Sequence, residues 1–268
     1  IGLGLIMCLC AFIYAFVIIS LAPKINASDI YDAIEQSSLI YDDQGKEIDS
    51  VYYSQDRTLV KYEDCPEDLV NAFVSLEDKT FWKHHGFNWT RMAGAVVSSV
   101  TGGGRISGTS TITQQLARNV YLADIKSERS ISRKILEMYY AAQIEKCLSK
   151  EEIIEAYMNT IYLGFGCYGV DAAAHAYYSK DVKDLTLEQC ASLAALPQAP
   201  DTYALIQYVD DANLSDTATN IIVRDPDTYV ANDVSKDRRD LCLTLMKDQG
   251  YISEAQYKEA YGKDLIDF

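Results

Sequence analysis

Residues Ile1 to Ala22 contain no charged side chain, and most are Ile, Leu, Val, Phe, Ala, Met or Cys. As a helix, such a stretch spans ~33 Å, enough to cross the hydrocarbon core of a bilayer. A buried core helix suits so uniformly apolar a segment poorly. Ser20-Leu21-Ala22 resembles a signal-peptidase site, but the run exceeds the ~7–15 residues of a signal-peptide core. The expectation is an uncleaved transmembrane anchor over 1–22. The chain starts with Ile rather than Met, which reads as a piece of a longer protein. Its own charges therefore do not set the orientation of the anchor.

The rest of the 268 residues has ordinary globular chemistry, with 49% hydrophobic and 24% charged side chains. Lys and Arg total 24 against 39 Asp and Glu, a net charge of -15. A nucleic-acid partner is excluded on that balance, because no general basic surface exists to displace counterions. An anionic ligand would need a local cluster of cations acting against the overall field. Cys8 and Cys10 lie in the anchor, leaving Cys65, Cys147, Cys167, Cys190 and Cys242. Five is odd and no C-x-x-C pair occurs, so core residues or free thiols are expected rather than disulfides or zinc. The three histidines, His84, His85 and His175, have no metal-ligand spacing.

Local patterns give a mainly α chain. Residues 23–62 read as a linker with a β-hairpin turning at Asp43-Gln44-Gly45. Pro66 opens a helix with Leu69, Ala72, Phe73 and Leu76 on one face. The sequence TGGGRISG at 101–108 reads as a loop, and 110–122 and 130–147 as helices. Capping boxes start helices at Ser149 and Thr186. Residues 206–235 show no steady period and read as a long loop or insertion. A last helical stretch covers 236–262, interrupted at Gly250.

Several clusters carry chemistry. Glu77, at a helix end beside aromatic residues, suits a general base; alone, it equally suits an ion pair with Lys79 or Lys83. Gly103 to Gly108 has phosphate-loop spacing, but Thr109 stands where Lys is required, so the Walker reading fails. The run Ser110, Thr111, Gln114, Gln115, Arg118 and Asn119 offers hydroxyls, amides and a guanidinium at a helix start, suited to sugars and phosphate oxygens. Arg133, Lys134 and Glu137 share a helix face, either as an exposed ion pair or as a phosphate clamp. Lys150, Glu155 and Asn159 admit the same two readings. No Ser-x-x-Lys or Lys-Thr-Gly occurs, so a penicilloyl-serine site is absent from this chain.

Together these blocks resemble the peptidoglycan glycosyltransferases of family 51. That family comprises the monofunctional transglycosylases and the N-terminal module of class A penicillin-binding proteins. The segments EDKTFWKHHGF (77–87), GTSTITQQLARN (108–119), RKILE (133–137) and KEEIIEAYMN (150–159) appear in the family's order, with a weaker fifth at Arg238-Arg239. The resemblance covers 39–268, and STITQQL is its most specific part.

The resemblance implies a lysozyme-like helical lobe with a small membrane-proximal jaw, over a glycosyltransferase domain at 63–268. It implies polymerisation of lipid II onto a growing glycan strand, with inversion at the MurNAc anomeric carbon and release of undecaprenyl pyrophosphate. Glu77 matches the catalytic base and Glu137 the second glutamate, where a divalent cation (Mg or Mn) is allowed. Arg118, Arg133 and Lys134 would hold phosphate. Ser110, Thr111, Gln114, Gln115 and Asn119 would line the subsites. Lys150 would lie near the groove, with Glu155 and Asn159 architectural. The implied setting is the bacterial cytoplasmic membrane, crossed once, with the domain on the extracytoplasmic face. A C-terminal transpeptidase domain is an implied partner.

Some positions depart from the family pattern. Arg118 replaces Lys, Asn88 replaces Asp, Gly94 replaces Arg, and Thr109 replaces Gly. Two rival readings remain. A hydrolase on the same architecture would not need the 133–134 cations. A non-catalytic scaffold would not need intact Glu77 and Glu137.

Overall fold

The structure is a computed structural model. It describes residues 2–25, 30–31, 39–41, 47–50, 59–100, 110–128, 130–209, 221–223 and 228–265. The chain divides into two units, one of residues 1–50 and 80–157, the other of residues 51–79 and 158–268. The boundaries fall after Lys79 and within a helix, after Tyr157.

In the first unit the apolar run forms helix α1, Gly2–Leu21. Among its described side chains Leu9, Phe12, Phe16 and Leu21 are exposed. Among the described residues no helix is long and apolar enough to cross a membrane. Strands β1 (Leu39–Tyr41) and β2 (Glu47–Ser50) pair antiparallel, with Leu39 opposite Ser50. The turn expected at Asp43-Gln44-Gly45 lies outside the described residues, as does the loop expected at 101–108.

Three helices of this unit matter most for the site. Helix α3 spans Trp89–Val100, α4 spans Ile112–Tyr121, and α5 spans Ile131–Cys147. Helix α4 starts at a reciprocal cap. The Thr111 hydroxyl accepts from the Gln114 backbone N–H, and the Gln114 side chain accepts from the Thr111 N–H. The same hydroxyl donates to the Gly86 carbonyl at 2.6 Å. Gly86 has φ +88°, and a Cβ there would lie 3.1 Å from the Ala141 backbone. Only glycine lets this turn approach α5 so closely. Packed beneath are Phe81, Ile112, Leu116, Tyr140, Ala141 and Ile144, all buried.

The second unit is built on α2 (Glu67–Glu77), α8 (Leu187–Ala195) and α10 (Asp233–Asp248), which pack on one another. Helix α6 (Lys150–Thr160) enters it and is followed by α7 (Val170–Tyr178). Phe73 and Leu69 from α2, Leu193 and Cys190 from α8, and Leu243 and Met246 from α10 form its core. Asn159 bonds both the N–H and the C=O of Val60 with its amide, at 3.0 and 2.9 Å, which makes it architectural.

The expected loop at 206–235 is a correction. It contains β3 (Ile206–Val209), β4 (Ile221–Val223) and β5 (Thr228–Ala231), in an antiparallel sheet of order β3-β5-β4. Strands of three or four residues are too short for an alternating pattern to register; cross-strand pairing, Ile206 with Ala231, creates them. A short helix α9 (Pro200–Tyr203) precedes the sheet. The last helical stretch divides as expected, into α10 and α11 (Glu254–Tyr261), with Gly250 between. Helix α10 starts three residues earlier than expected, capped by the Asn232 side chain. Among the described residues the cysteines are free thiols, and Cys167, Cys190 and Cys242 are buried.

Candidate active site

Helix α5 brings Arg133, Lys134 and Glu137 onto one face through i, i+3 and i, i+4 spacing. Glu137 is only 1% exposed, which removes the reading of a solvated surface pair. Arg133 Nη1 donates to Glu137 Oε1. Lys134 Nζ donates to Glu137 Oε2 at 2.9 Å and to Ser110 Oγ at 3.0 Å. Arg118 Nη1, from α4, lies 3.7 Å from Glu137 Oε1. One buried carboxylate is therefore shared by three cations, leaving an excess of two positive charges in an otherwise acidic chain. Such a site is suited to an anion that can accept several charge-assisted hydrogen bonds.

Lys126 belongs to the same neighbourhood and was missed in the sequence. Burial, and next the positive charge of Arg118, push its ammonium below the usual lysine range. The signal that could have found it is weak, a lone lysine one short turn beyond α4.

The structure uses the hydroxyl and amide run differently from the expectation of open subsite walls. Thr111 and Gln114 are buried in the α4 cap. Gln115 Oε1 accepts from the Tyr157 hydroxyl at 3.2 Å. Thr111 and Gln114 brace α4 because helix starts leave backbone N–H groups that need partners, and Gln115 ties α4 to Tyr157. Among the described residues, Gln114 Nε2 is buried with no hydrogen-bond partner. Ser110, Arg118 and Asn119 are half-buried.

Lys150 sits in a different cluster from Glu137. Its Nζ donates to Glu145 Oε1 at 2.6 Å and lies 4.5 Å from the centre of the Phe81 ring. The Thr113 hydroxyl donates to the same Glu145 oxygen at 2.6 Å. Lys150 thus neutralises a buried carboxylate, and Glu145 was not singled out from the sequence. Glu155 is also buried.

Glu77 belongs to the second unit, as the last residue of α2. Arg238 Nη2, from α10, lies 3.4 Å from Glu77 Oε1. The guanidinium also donates through Nε to the Ala195 carbonyl at 2.7 Å. The neighbouring Arg239 is fully buried and bonds Asp240 and the carbonyls of Lys263 and Asp264. The doublet therefore splits into one arginine at Glu77 and one that ties down the chain end. Adjacent helical residues point in different directions, so the sequence did not show which one meets the glutamate.

Residues 44–243 match the family model described as Transglycosylase. The chain belongs to the transglycosylase family. It is 39% identical over 254 residues to penicillin-binding protein 1A of Clostridium botulinum strain Langeland, covering 93% of this chain and 28% of that protein. It is 37% identical over 232 residues to penicillin-binding protein 1F of Bacillus subtilis strain 168, covering 87% and 29%. The chain thus spans less than a third of the length of these relatives. Among solved structures, penicillin-binding protein 1A from Haemophilus influenzae matches with a TM-score of 0.40 and 24% identity, over 85% of this chain and 20% of that one.

Two departures from the family pattern have physical consequences in this transglycosylase chain. Asn88 does the capping work that Asp would do: its Oδ1 accepts from the Arg91 N–H at 3.0 Å, and its Nδ2 donates to Thr80 Oγ1 at 2.9 Å. Gly94 faces open space, with nothing within 4 Å of the place a Cβ would take. Thr109 lies outside the described residues.

Proposed function

We propose that this chain is a peptidoglycan glycosyltransferase module that polymerises lipid II into β-1,4-linked glycan strands. The observation that carries this reading is the group of three cations, Arg118, Arg133 and Lys134, around the buried Glu137. A pyrophosphate leaving group needs such stabilisation as its charge develops. Glu77 takes the proton of the acceptor 4-hydroxyl as that oxygen attacks the donor MurNAc anomeric carbon. The bond from that carbon to the pyrophosphate oxygen breaks, and the anomeric centre inverts. Undecaprenyl pyrophosphate leaves with its charge met by the cations. Glu137 holds those cations in place rather than reacting itself.

The residues around Glu137 do not suit a divalent cation. Positive side chains occupy its carboxylate, and among the described residues no group of three acidic, histidine or cysteine ligands exists.

The wider setting belongs to the same proposal. The uncharged α1 and its exposed apolar side chains support a single-pass anchor in the bacterial cytoplasmic membrane, and the lipid-linked substrate of the proposed reaction goes with a module on the extracytoplasmic face. A lysozyme-like lobe with a membrane-proximal jaw is the fold that goes with it. The greater length of the relatives supports a C-terminal transpeptidase partner. A hydrolase reading is disfavoured, since no pyrophosphate departs in hydrolysis and the cations would have no task.

The test is polymerisation of labelled lipid II in detergent, wild type beside Glu77→Gln, with products resolved on a gel. A ladder that the substitution lowers by ~10²–10⁴-fold, the usual contribution of a general base, is expected. A folded wild type that makes no ladder overturns the reading in favour of a scaffold.

A further inference from the structure

We propose that Arg238 is a positioning residue for Glu77, orienting the carboxylate that accepts the acceptor's proton; this rests on the glycosyltransferase reading above. Glu77 ends helix α2, where the unpaired carbonyls of the last turn disfavour a negative charge. Left to itself, a flexible glutamate there swings away from the helix end and samples several rotamers. A cation fixed from elsewhere in the same unit holds it in one place.

Arg238 has the fixings to do this. Its Nε donates to the carbonyl of Ala195, the last residue of α8, at 2.7 Å. Its guanidinium carbon lies 5.4 Å from the centre of the Tyr203 ring, in cation–π contact. Its Nη2 then falls 3.4 Å from Glu77 Oε1. The two side chains are 14% and 13% exposed, so solvent screening of the pair is limited. Two contacts, from α8 and α9, fix the guanidinium, and its planar fork carries that placement to the carboxylate. None of these contacts is supplied by Arg239, which is buried against the carbonyls of Lys263 and Asp264. The arrangement holds the carboxylate in place against the repulsion of its own helix end, and a general base requires that placement before substrate arrives.

The competing role for Arg238 is purely structural, pinning α10 to α8 through the Ala195 carbonyl. A kinetic cycle separates the two. Steady-state polymerisation of lipid II is measured for the wild type, Arg238→Ala, Glu77→Asp and the double variant. A misplaced base is expected to lower kcat by about 10²-fold in Arg238→Ala, with KM for lipid II within about twofold of wild type. Because Arg238 acts through the carboxylate, the double variant should be little slower than Glu77→Asp alone. Arg238→Lys, which keeps a cation but loses the fork, should recover part of the lost kcat. If Arg238→Ala does not fold, Arg238→Lys takes its place in the same cycle. Losses that multiply in the double variant, or a change confined to KM, overturn the positioning role. A wild type that makes no polymer overturns the glycosyltransferase reading and this assignment with it, an outcome distinct from an active wild type with multiplying losses.

Discussion

Lys134 Nζ lies 3.0 Å from Ser110 Oγ, joining helix α5 to the residue just before the α4 cap. The same ammonium donates to Glu137 at 2.9 Å. One lysine therefore ties Ser110 to the buried carboxylate. Ser110 is thus held by a side chain 24 residues away in sequence.

If Arg133 is a phosphate contact, Arg133→Ala weakens binding of a phosphoglycolipid mimic of the donor by about tenfold or more. That is the size of a hydrogen bond to a charged group, ~1.5–3 kcal/mol. Fluorescence titration with a labelled mimic measures it. Unchanged affinity would remove Arg133 from the binding site.

Glu137→Leu leaves three cations together with no counter-charge. Glu137 is 1% exposed, whereas Arg118 and Lys134 reach solvent at 26% and 36% of their side chains, so they relax in part. A loss of about 3 kcal/mol, the lower end for breaking a buried pair, is expected. Urea unfolding reports it as a lower midpoint. A midpoint equal to wild type would show that the fold does not need Glu137 to neutralise the cations.

Gly86 and Gly250 make a matched pair. Both have positive φ, +88° and +81°, but only Gly86 would place a Cβ against backbone, 3.1 Å from Ala141. Gly250→Ala should cost about 1 kcal/mol for the left-handed conformation alone. Gly86→Ala should cost more, because the turn must also move off α5. Thermal melts of the two variants compare them directly; equal losses would mean the turn gives way freely.

Alkaline stability should be limited by buried thiols. Burial pushes Cys167 up to about 11, and burial pushes Cys242 up to about 12 despite the nearby Arg238 charge. In the unfolded chain both ionise near ~8.5. The folded state therefore binds more protons above that pH. Their contribution is fully present below about pH 8.5, falls as pH rises, and is lost as pH passes about 11 and then about 12. Urea midpoints at pH 7, 9 and 10.5 should decline, and Cys242→Ala should flatten the decline. An identical slope in that variant would assign the alkaline loss to other groups, such as Tyr177, whose hydroxyl burial also raises.

Most helices were legible because they advertise themselves locally, whereas α3 and α7 were not singled out. The cap at Thr186 with Gln189, the apolar face of α2 and the break at Gly250 lie within a few residues of their effects. The short strands of 206–231 were not, since a strand of three or four residues exists only through its partner in the sheet. For the site, the RKILE spacing placed Arg133, Lys134 and Glu137 on one helix face. It left open whether that face meets water, because burial depends on what packs opposite.

The sequence by itself determined which residues carry charge, where most of the helices form and which family motifs are present in order. Those properties reside in residue identity and in spacings of a few residues. Only the tertiary structure decided that Glu137 is buried among three cations, that Lys150 neutralises Glu145, and that Arg238 rather than Arg239 meets Glu77. Each of these is a pairing between helices. A long polar side chain takes its partner from whichever helix packs against it, and one residue's rotation about a helix changes that partner by about 100°.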